Sequence, residues 1–366
     1  MIYERPKYKN QYENFIGGEW IAPSSGEYIE NISPVDGKLL TKIPRSNEKD
    51  VDLAIEAAKK GFEEFKHTSV TQRSALLNKI ADIVEANLEA LAVAETLDNG
   101  KAVRETLNAD LPLFIDHFRY FASVIRAESG TISDLDENTI SQEIYEPYGV
   151  VAQIIPWNFP LLMAAWKLAP AIAAGNCVVL KPASSTPLSI LLFLDLIKDV
   201  LPKGVINVVN GAGGKIGKHL VTHRDVKKVA FTGETSTGQE IMRYATENII
   251  PSTLELGGKS PNVFFKSIMD ADDEFFDKSI EGLVLFAFNS GEVCTCPSRA
   301  LIEESIYEPF MKRVIERVKA IKLGNPLDTE NTMGAQNSFN KKEKIAKYLK
   351  IAKEDGAECL VGGDIY

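Results

Sequence analysis

Several things that anchor or cross-link proteins are scarce in this sequence. Its 366 residues include only four cysteines, Cys177, Cys294, Cys296 and Cys359. That is too few for the disulfide framework of a secreted chain of this length, so reduced thiols are expected. Histidines are equally rare: His67, His117, His219 and His223, read as lying apart with no paired spacing. A metal clasp at Cys294-Thr-Cys296 would need ligands they do not supply, and no metal is expected. No long apolar run is present: Leu161 to Ala174 is the most apolar stretch, and Lys167 and Pro170 cut it. Met1 is followed by Tyr3, Glu4, Arg5 and Pro6 with no apolar segment of the signal-peptide kind. A soluble cytoplasmic protein without a membrane partner is expected. Basic charge is in the minority, 41 Lys+Arg against 51 Asp+Glu for a net −10. With no long basic run to override that excess, nucleic acid is not expected as a partner.

What is present is globular. Hydrophobic residues make up 45% and charged residues 25%, enough for a sizeable core and about two domains. The first 140 residues read mostly as helices. Val51, Ile55, Ala58, Phe62 and Phe65 recur at steps of three and four, and a second stripe runs from Thr71 to Asn99, where Gly100 supplies a stop. A third helix, Glu105 to Arg126, is interrupted at Pro112. The alternation from Thr139 to Tyr145 predicts an exposed strand, half of a hairpin or an oligomer edge. Near Gly149 the period changes. Strands are predicted at Val150–Ile155, Asn176–Leu180, Val205–Val209, Lys228–Phe231, Thr253–Leu256 and Asn262–Phe265, with helices at Pro187–Val200 and Gly238–Ala245 between them. Such succession means a largely parallel sheet. A helix at Phe275–Phe288, a loop with two cysteines, a helix at Ile306–Ile321 and two further helices follow.

Five motifs could carry chemistry, and each has a plainer reading. Cys294, in Gly291-Glu-Val-Cys294-Thr-Cys296-Pro-Ser-Arg299, suits a nucleophile but also a small buried apolar residue. Glu255, between two leucines and before Gly257-Gly258, suits a desolvated general base or a solvated strand end. Asn158, in Pro156-Trp157-Asn158-Phe159-Pro160, suits a rigid amide donor to an oxyanion or an ordinary turn. Lys181-Pro-Ala-Ser184 and Gly211-Ala-Gly213-Gly214 close parallel strands, where glycines let backbone N–H groups approach a pyrophosphate or merely turn. Phe231-Thr-Gly233 repeats the device.

Taken in order, Trp157-Asn158-Phe159-Pro160, Lys181-Pro182-Ala183, Phe231-Thr232-Gly233, Glu255-Leu256-Gly257-Gly258 and the Cys294 loop resemble the aldehyde dehydrogenase superfamily. The resemblance runs from Phe15-Ile-Gly-Gly-Glu-Trp20 and Leu97-Asp-Asn-Gly-Lys101 to Gly324-Asn-Pro326, and Gly233-Glu234-Thr235 with the Cys294 loop further resembles bacterial acetaldehyde dehydrogenases. It implies an α/β fold of two parallel-sheet Rossmann-type domains plus a small oligomerisation strand element. A cofactor-binding domain would span 1–256, with the strand at 139–147, and an incomplete catalytic domain 257–366. It implies Cys294 as nucleophile, Asn158 as oxyanion donor and Glu255 as the base that activates water. Ile154, Pro156, Trp157, Lys181, Ser184, Gly211, Gly213, Phe231, Gly233 and Leu256 would bind NAD, with NADP possible because Ser184 stands where many members have Glu. Phe159, Met163, Trp166, Val293 and Thr295 would line the tunnel for a small aliphatic aldehyde, acetaldehyde-like, oxidised to its carboxylic acid. Glu234 stands where Ser is common, so its side chain must turn away from the phosphates or cost affinity. A full-length member would be a homodimer or homotetramer. Members continue past Tyr366, so the chain reads as C-terminally truncated and poorly ordered after Leu256. The rival readings are an inactive fragment that only binds nucleotide and a cofactor-free thiol esterase.

Overall fold

A computed structural model of the chain describes residues 1–364; the last two positions of the expected 257–366 domain lie outside the described residues. Two antiparallel hairpins come first, β1 (Asn14–Ile16) with β2 (Glu19–Ile21) and β3 (Tyr28–Ile32) with β4 (Leu39–Pro44). The helical reading of this region overlooks them, because strands this short show too few alternations to reveal a period of two. Helix α1 (Glu48–Phe65) follows. It starts where Asn47 Oδ1 accepts from Lys49 N at 2.9 Å and Asp50 Oδ2 accepts from Asn47 N at 2.9 Å.

The stripe from Thr71 forms two helices, α2 (Val70–Ala86) and α3 (Leu88–Asn99). Asn87 breaks them apart with φ −120° and ψ 20°, its amide donating back to Ile83 O at 2.8 Å. Gly100 ends α3 at φ 95°, as a left-handed cap. A Cβ there would also lie 2.7 Å from the Ala335 carbonyl, so glycine is needed twice over. Next come α4 (Val103–Glu105), a π-helical turn at Thr106–Asp110 and α5 (Leu111–Val124). The expected interruption at Pro112 thus falls a turn earlier, and Pro112 sits in the first turn of α5, where its missing N–H costs nothing. Strands β5 (Ile132–Asp136) and β6 (Thr139–Gln142) then make an antiparallel hairpin exposed along its whole length.

The central sheet follows from the strand–helix alternation. β7 (Val150–Ile154), α6 (Pro160–Ala173), β8 (Cys177–Lys181), α7 (Leu188–Ile197), β9 (Ile206–Val208), α8 (Gly213–Thr222), β10 (Val226–Gly233), α9 (Thr235–Ala245) and β11 (Ser252–Leu256) succeed one another. The strand order is β11-β10-β7-β8-β9-β1-β2, parallel from β11 to β9. The sheet is therefore not complete within Val150–Leu256, since Phe15 pairs antiparallel with Val208 and brings the first hairpin onto its edge. The chain leaves β7 toward β8 and β9, then returns to the far side of β7 at β10. That reversal opens a crevice at the carboxyl ends of the strands. The register puts Ile154 opposite both Lys181 and Phe231, and Gly233 opposite Leu256, so these five positions share one edge.

Beyond Leu256, β12 (Pro261–Phe264) pairs parallel with β13 (Arg299–Ile302). They pack with α10 (Glu274–Val284) and α11 (Tyr307–Lys319) around a second apolar cluster centred on Phe310, separate from the large core, which is built from residues 12–250 and Leu327. The helix expected to continue to Phe288 instead kinks at Phe288, φ −55° and ψ 142°. After Ile321 two helices were expected, whereas among the described residues there is one, α12 (Phe339–Glu354). No helix of the described residues is long and apolar enough to cross a membrane.

Candidate active site

The turn after β7 carries Asn158, and its backbone is held from below. Asn99 Nδ2 donates to Trp157 O at 2.8 Å, and Lys101 Nζ and Asn289 Nδ2 donate to Asn158 O at 2.7 and 3.2 Å. Asn158 Nδ2 in turn donates to Glu292 O at 2.6 Å, which ties this turn to the cysteine loop two residues before Cys294. An amide has two N–H donors, so one remains for a ligand.

Three successive residues before that loop have positive φ: Asn289 at 51°, Ser290 at 56° and Gly291 at 77°. Two of them are not glycine, a conformation that persists only when neighbours impose it. They do so here. Asn289 N donates to both Glu105 carboxylate oxygens at 3.2 and 3.1 Å, Gln336 Nε2 donates to Ser290 O at 3.0 Å, and Asn337 N donates to Glu292 Oε1 at 3.1 Å. Burial pushes the Glu105 and Glu292 carboxyls each up to about 7. Cys294 at the loop's centre is half-buried, whereas Cys296 is buried and its thiol donates to Leu285 O at 3.2 Å. Burial raises the Cys296 thiol, which makes it the poorer nucleophile.

Glu255 is exposed on β11 and makes no hydrogen bond or ion pair among the described residues. Of its two readings, the solvated strand end is the one seen here, β11 being the edge strand of the sheet. Glu255 lines a cavity of about 930 Å³ with Lys167 and Trp166. Lys167 is buried, donates to Thr232 Oγ1 at 2.5 Å, and is lowered to about 8 by burial against the opposing pull of Glu255. Three residues past Glu255 the chain meets the cysteine loop, where a Cβ on Gly258 would lie 3.6 Å from Cys294 O.

Of the expected tunnel residues, Trp166 lines that cavity and stacks on His117 with ring centroids 5.8 Å apart. Phe159, just before α6, and Met163, on it, are buried in the core instead, while Val293 is half-buried and Thr295 exposed. Of the five, Trp166 alone lines that cavity.

On the cofactor side, α8 and α9 begin directly after the carboxyl ends of β9 and β10, and neither Ala212 nor Glu234 makes a side-chain cap bond. Their first N–H groups are open to an anion, and a Cβ on Gly214 would meet nothing within 4 Å. Ile154, Pro156 and Trp157 are half-buried at the crevice. Lys181 is buried, with Nζ on Pro182 O at 2.7 Å, and burial lowers it to about 8. Ser184 Oγ donates to Gly211 O at 2.7 Å, joining two strand-end loops. The Phe231 ring is buried and lies 2.5 Å from where a Cβ on Gly233 would stand. Leu256 packs on α9 at Gly238. Glu234 does turn aside, to Lys344 Nζ at 3.2 Å, and Lys341 Nζ sits 4.5 Å over the Trp157 ring. These two lysines were not read from the sequence, where α12 has the lysine-rich pattern of a solvated helix.

The histidines need a correction. His219 and His223 are four apart along α8 and its cap, with rings 5.9 Å apart and both facing Asp52 Oδ1, at 2.6 and 3.7 Å. They lie far from the cysteine loop in sequence, and no group of three or more ligating side chains that could hold a metal occurs among the described residues.

A crevice at a strand-order reversal, two uncapped helix N-termini, and an amide tied to a cysteine loop define a nucleotide-dependent oxidoreductase fold. The sequence profile of the aldehyde dehydrogenase family matches residues 20–366, and the chain belongs to that family. It is an enzyme that oxidises aldehydes. It is 63% identical over 356 residues to the long-chain-aldehyde dehydrogenase of an Acinetobacter species, covering 97% of this chain and 71% of that one. It is 59% identical over 357 residues to acetaldehyde dehydrogenase 2 of Cupriavidus necator, covering 98% and 71%. Among solved structures, the NAD+ complex of an aldehyde dehydrogenase from Bacillus cereus superposes with a TM-score of 0.93 at 36% identity, covering 97% of this chain and 72% of that one.

Proposed function

We propose that the protein oxidises an aliphatic aldehyde, acetaldehyde-like, to its carboxylic acid with NAD, tolerating NADP, through a thioester on Cys294. The observation that carries this reading is the 2.6 Å bond from Asn158 Nδ2 to Glu292 O, which sets a side-chain amide beside the only half-buried cysteine of the described residues. Bound NAD or NADP supplies the hydride acceptor. Its pyrophosphate would lie on the N-termini of α8 and α9, with Gly211, Gly213 and Gly233 allowing close approach and Ile154, Pro156, Trp157, Lys181, Ser184, Phe231 and Leu256 framing the crevice. Cys294 Sγ forms a bond to the aldehyde carbon, and the free N–H of Asn158 and the Cys294 backbone N–H take up the charge on oxygen. Once hydride has left the carbon, the acyl group is held on sulfur. Glu255, unpaired and open to the cavity, takes a proton from water, the water oxygen attacks the acyl carbon, and the C–S bond breaks to return the thiolate.

The names of relatives support an aliphatic substrate, one long-chain and one two-carbon. Two separate apolar clusters support a cofactor-binding domain of 1–256 and a catalytic domain from 257 onward. The exposed Ile132, Leu135 and Ile140 of the β5–β6 hairpin support assembly into a homodimer or homotetramer. The test is turnover of acetaldehyde with NAD, followed by absorbance of the reduced nicotinamide. Cys294→Ala should abolish it, and Glu255→Gln should give one burst and then stall. Steady turnover in either variant removes that residue from the chemistry.

A further inference from the structure

In the proposed chemistry the chain from Glu95 to Lys101 touches no reacting atom, yet it grips the Asn158 turn at three backbone positions. Asn99 Nδ2 reaches Trp157 O at 2.8 Å, Lys101 Nζ reaches Asn158 O at 2.7 Å, and Glu95 Oε2 accepts from Leu161 N at 3.1 Å. Lys101 is the unexpected member, because its side chain has no exposed surface. Its three N–H directions have three targets: Asp110 Oδ2 at 2.6 Å, the Asn158 carbonyl, and the face of Phe159 with its centroid at 4.1 Å. Withdrawing an ammonium from water is costly, and a methionine of similar length would fill the space without that cost. Packing therefore does not account for the charge. Direction does: an ammonium anchored on Asp110 fixes where the Asn158 peptide carbonyl points. With that peptide fixed, the Cα–Cβ bond of the same residue is fixed too, and from it the amide reaches Glu292 O and the cysteine loop.

We propose that Lys101 is a positioning residue, which aims the Asn158 amide at the Cys294 loop by holding the Asn158 carbonyl against an ammonium anchored on Asp110. The inference rests on the assignment of Asn158 as oxyanion donor. A donor displaced by about 1 Å can slow a reaction by about a hundredfold, so a residue that never meets substrate can still set the rate.

The experiment is a double-mutant cycle on the full chain, read by the burst of nitrophenolate as p-nitrophenyl acetate acylates Cys294, per titrated thiol. This readout needs the oxyanion donor but no cofactor. Lys101→Met should slow the burst by about ten- to a hundredfold, while in an Asn158→Ala background the same change should cost less than about twofold. Lys101→Met losing as much in both backgrounds, or lowering Tm with the burst per thiol unchanged, overturns the positioning role and leaves Asn158 in place. If Asn158→Ala alone acylates at the wild-type rate, or the wild-type chain does not acylate, the oxyanion assignment falls and the inference with it. Should Lys101→Met not yield soluble protein, Asp110→Asn removes the anchor in the same cycle, with the same expected and overturning outcomes.

Discussion

The two apolar clusters should be separable in energy, and Phe310 is where to test this. Its side chain is wholly buried, with ring centroids 4.9 Å from Phe264 and 6.2 Å from Phe276, so it holds β12 and α10 onto α11. The cluster has nine buried residues, against a core that draws on most elements between residues 12 and 250. Phe310→Ala removes the largest side chain at its centre, a change that costs about 3–5 kcal/mol in well-packed cores. At about 1.4 kcal/mol per factor of ten, local opening becomes roughly a hundredfold to a few thousandfold more frequent. Native-state hydrogen exchange read by mass spectrometry should show that loss of protection in α10, β12, β13 and α11, while β7, β8 and α6 keep theirs. Because Asn158 and Glu105 reach the second cluster's side only through residues 289–292, the cysteine loop should loosen with it. Equal loss of protection in both regions would show one cooperative unit and refute the argument; so would a change smaller than about threefold anywhere in the chain.

A haloacetamide should label Cys294 and the exposed Cys359 well before Cys296 or Cys177, because burial raises the Cys296 thiol and pushes Cys177 up to about 12. Peptide mapping that finds Cys296 labelled ahead of Cys294 would contradict this order. Ser184→Glu should raise the ratio of kcat/KM with NAD to that with NADP, since a carboxylate repels a 2′-phosphate; an unchanged ratio means the ribose is not held there. Burial holds Asp98 up to about 8 and Glu105 and Glu292 up to about 7, against ordinary values of 3.8 and 4.5. Between about pH 4 and 8 the native state therefore binds more protons than the unfolded chain. The stability these groups contribute is complete at the acidic end and is lost as pH rises through their folded values. Tm should fall from pH 5 to 8.5 and fall less steeply in Glu105→Gln; a Tm that rises across the window would falsify the assignment.

What the sequence determined by itself is local or repetitive. The apolar stripe of α1, the Gly100 stop, and the strand–helix succession from Val150 to Leu256 are set within a few residues of one another, so pattern alone reveals them. The order of five motifs fixed the family for the same reason, since motifs are read along the chain. Tertiary structure decided whatever depends on partners distant in sequence. Phe15 joins the sheet through Val208, Lys101 becomes a buried cation because Asp110 and the Asn158 carbonyl converge on it, and His219 and His223 meet over Asp52 of another helix. Whether Glu255 is solvated depends on β11 lying at the edge of its sheet, and the ion pair of Glu234 exists because α12 brings Lys344 to it. Burial and ion pairing are properties of the space around a side chain. In each of these cases that space is built by segments that no local pattern names.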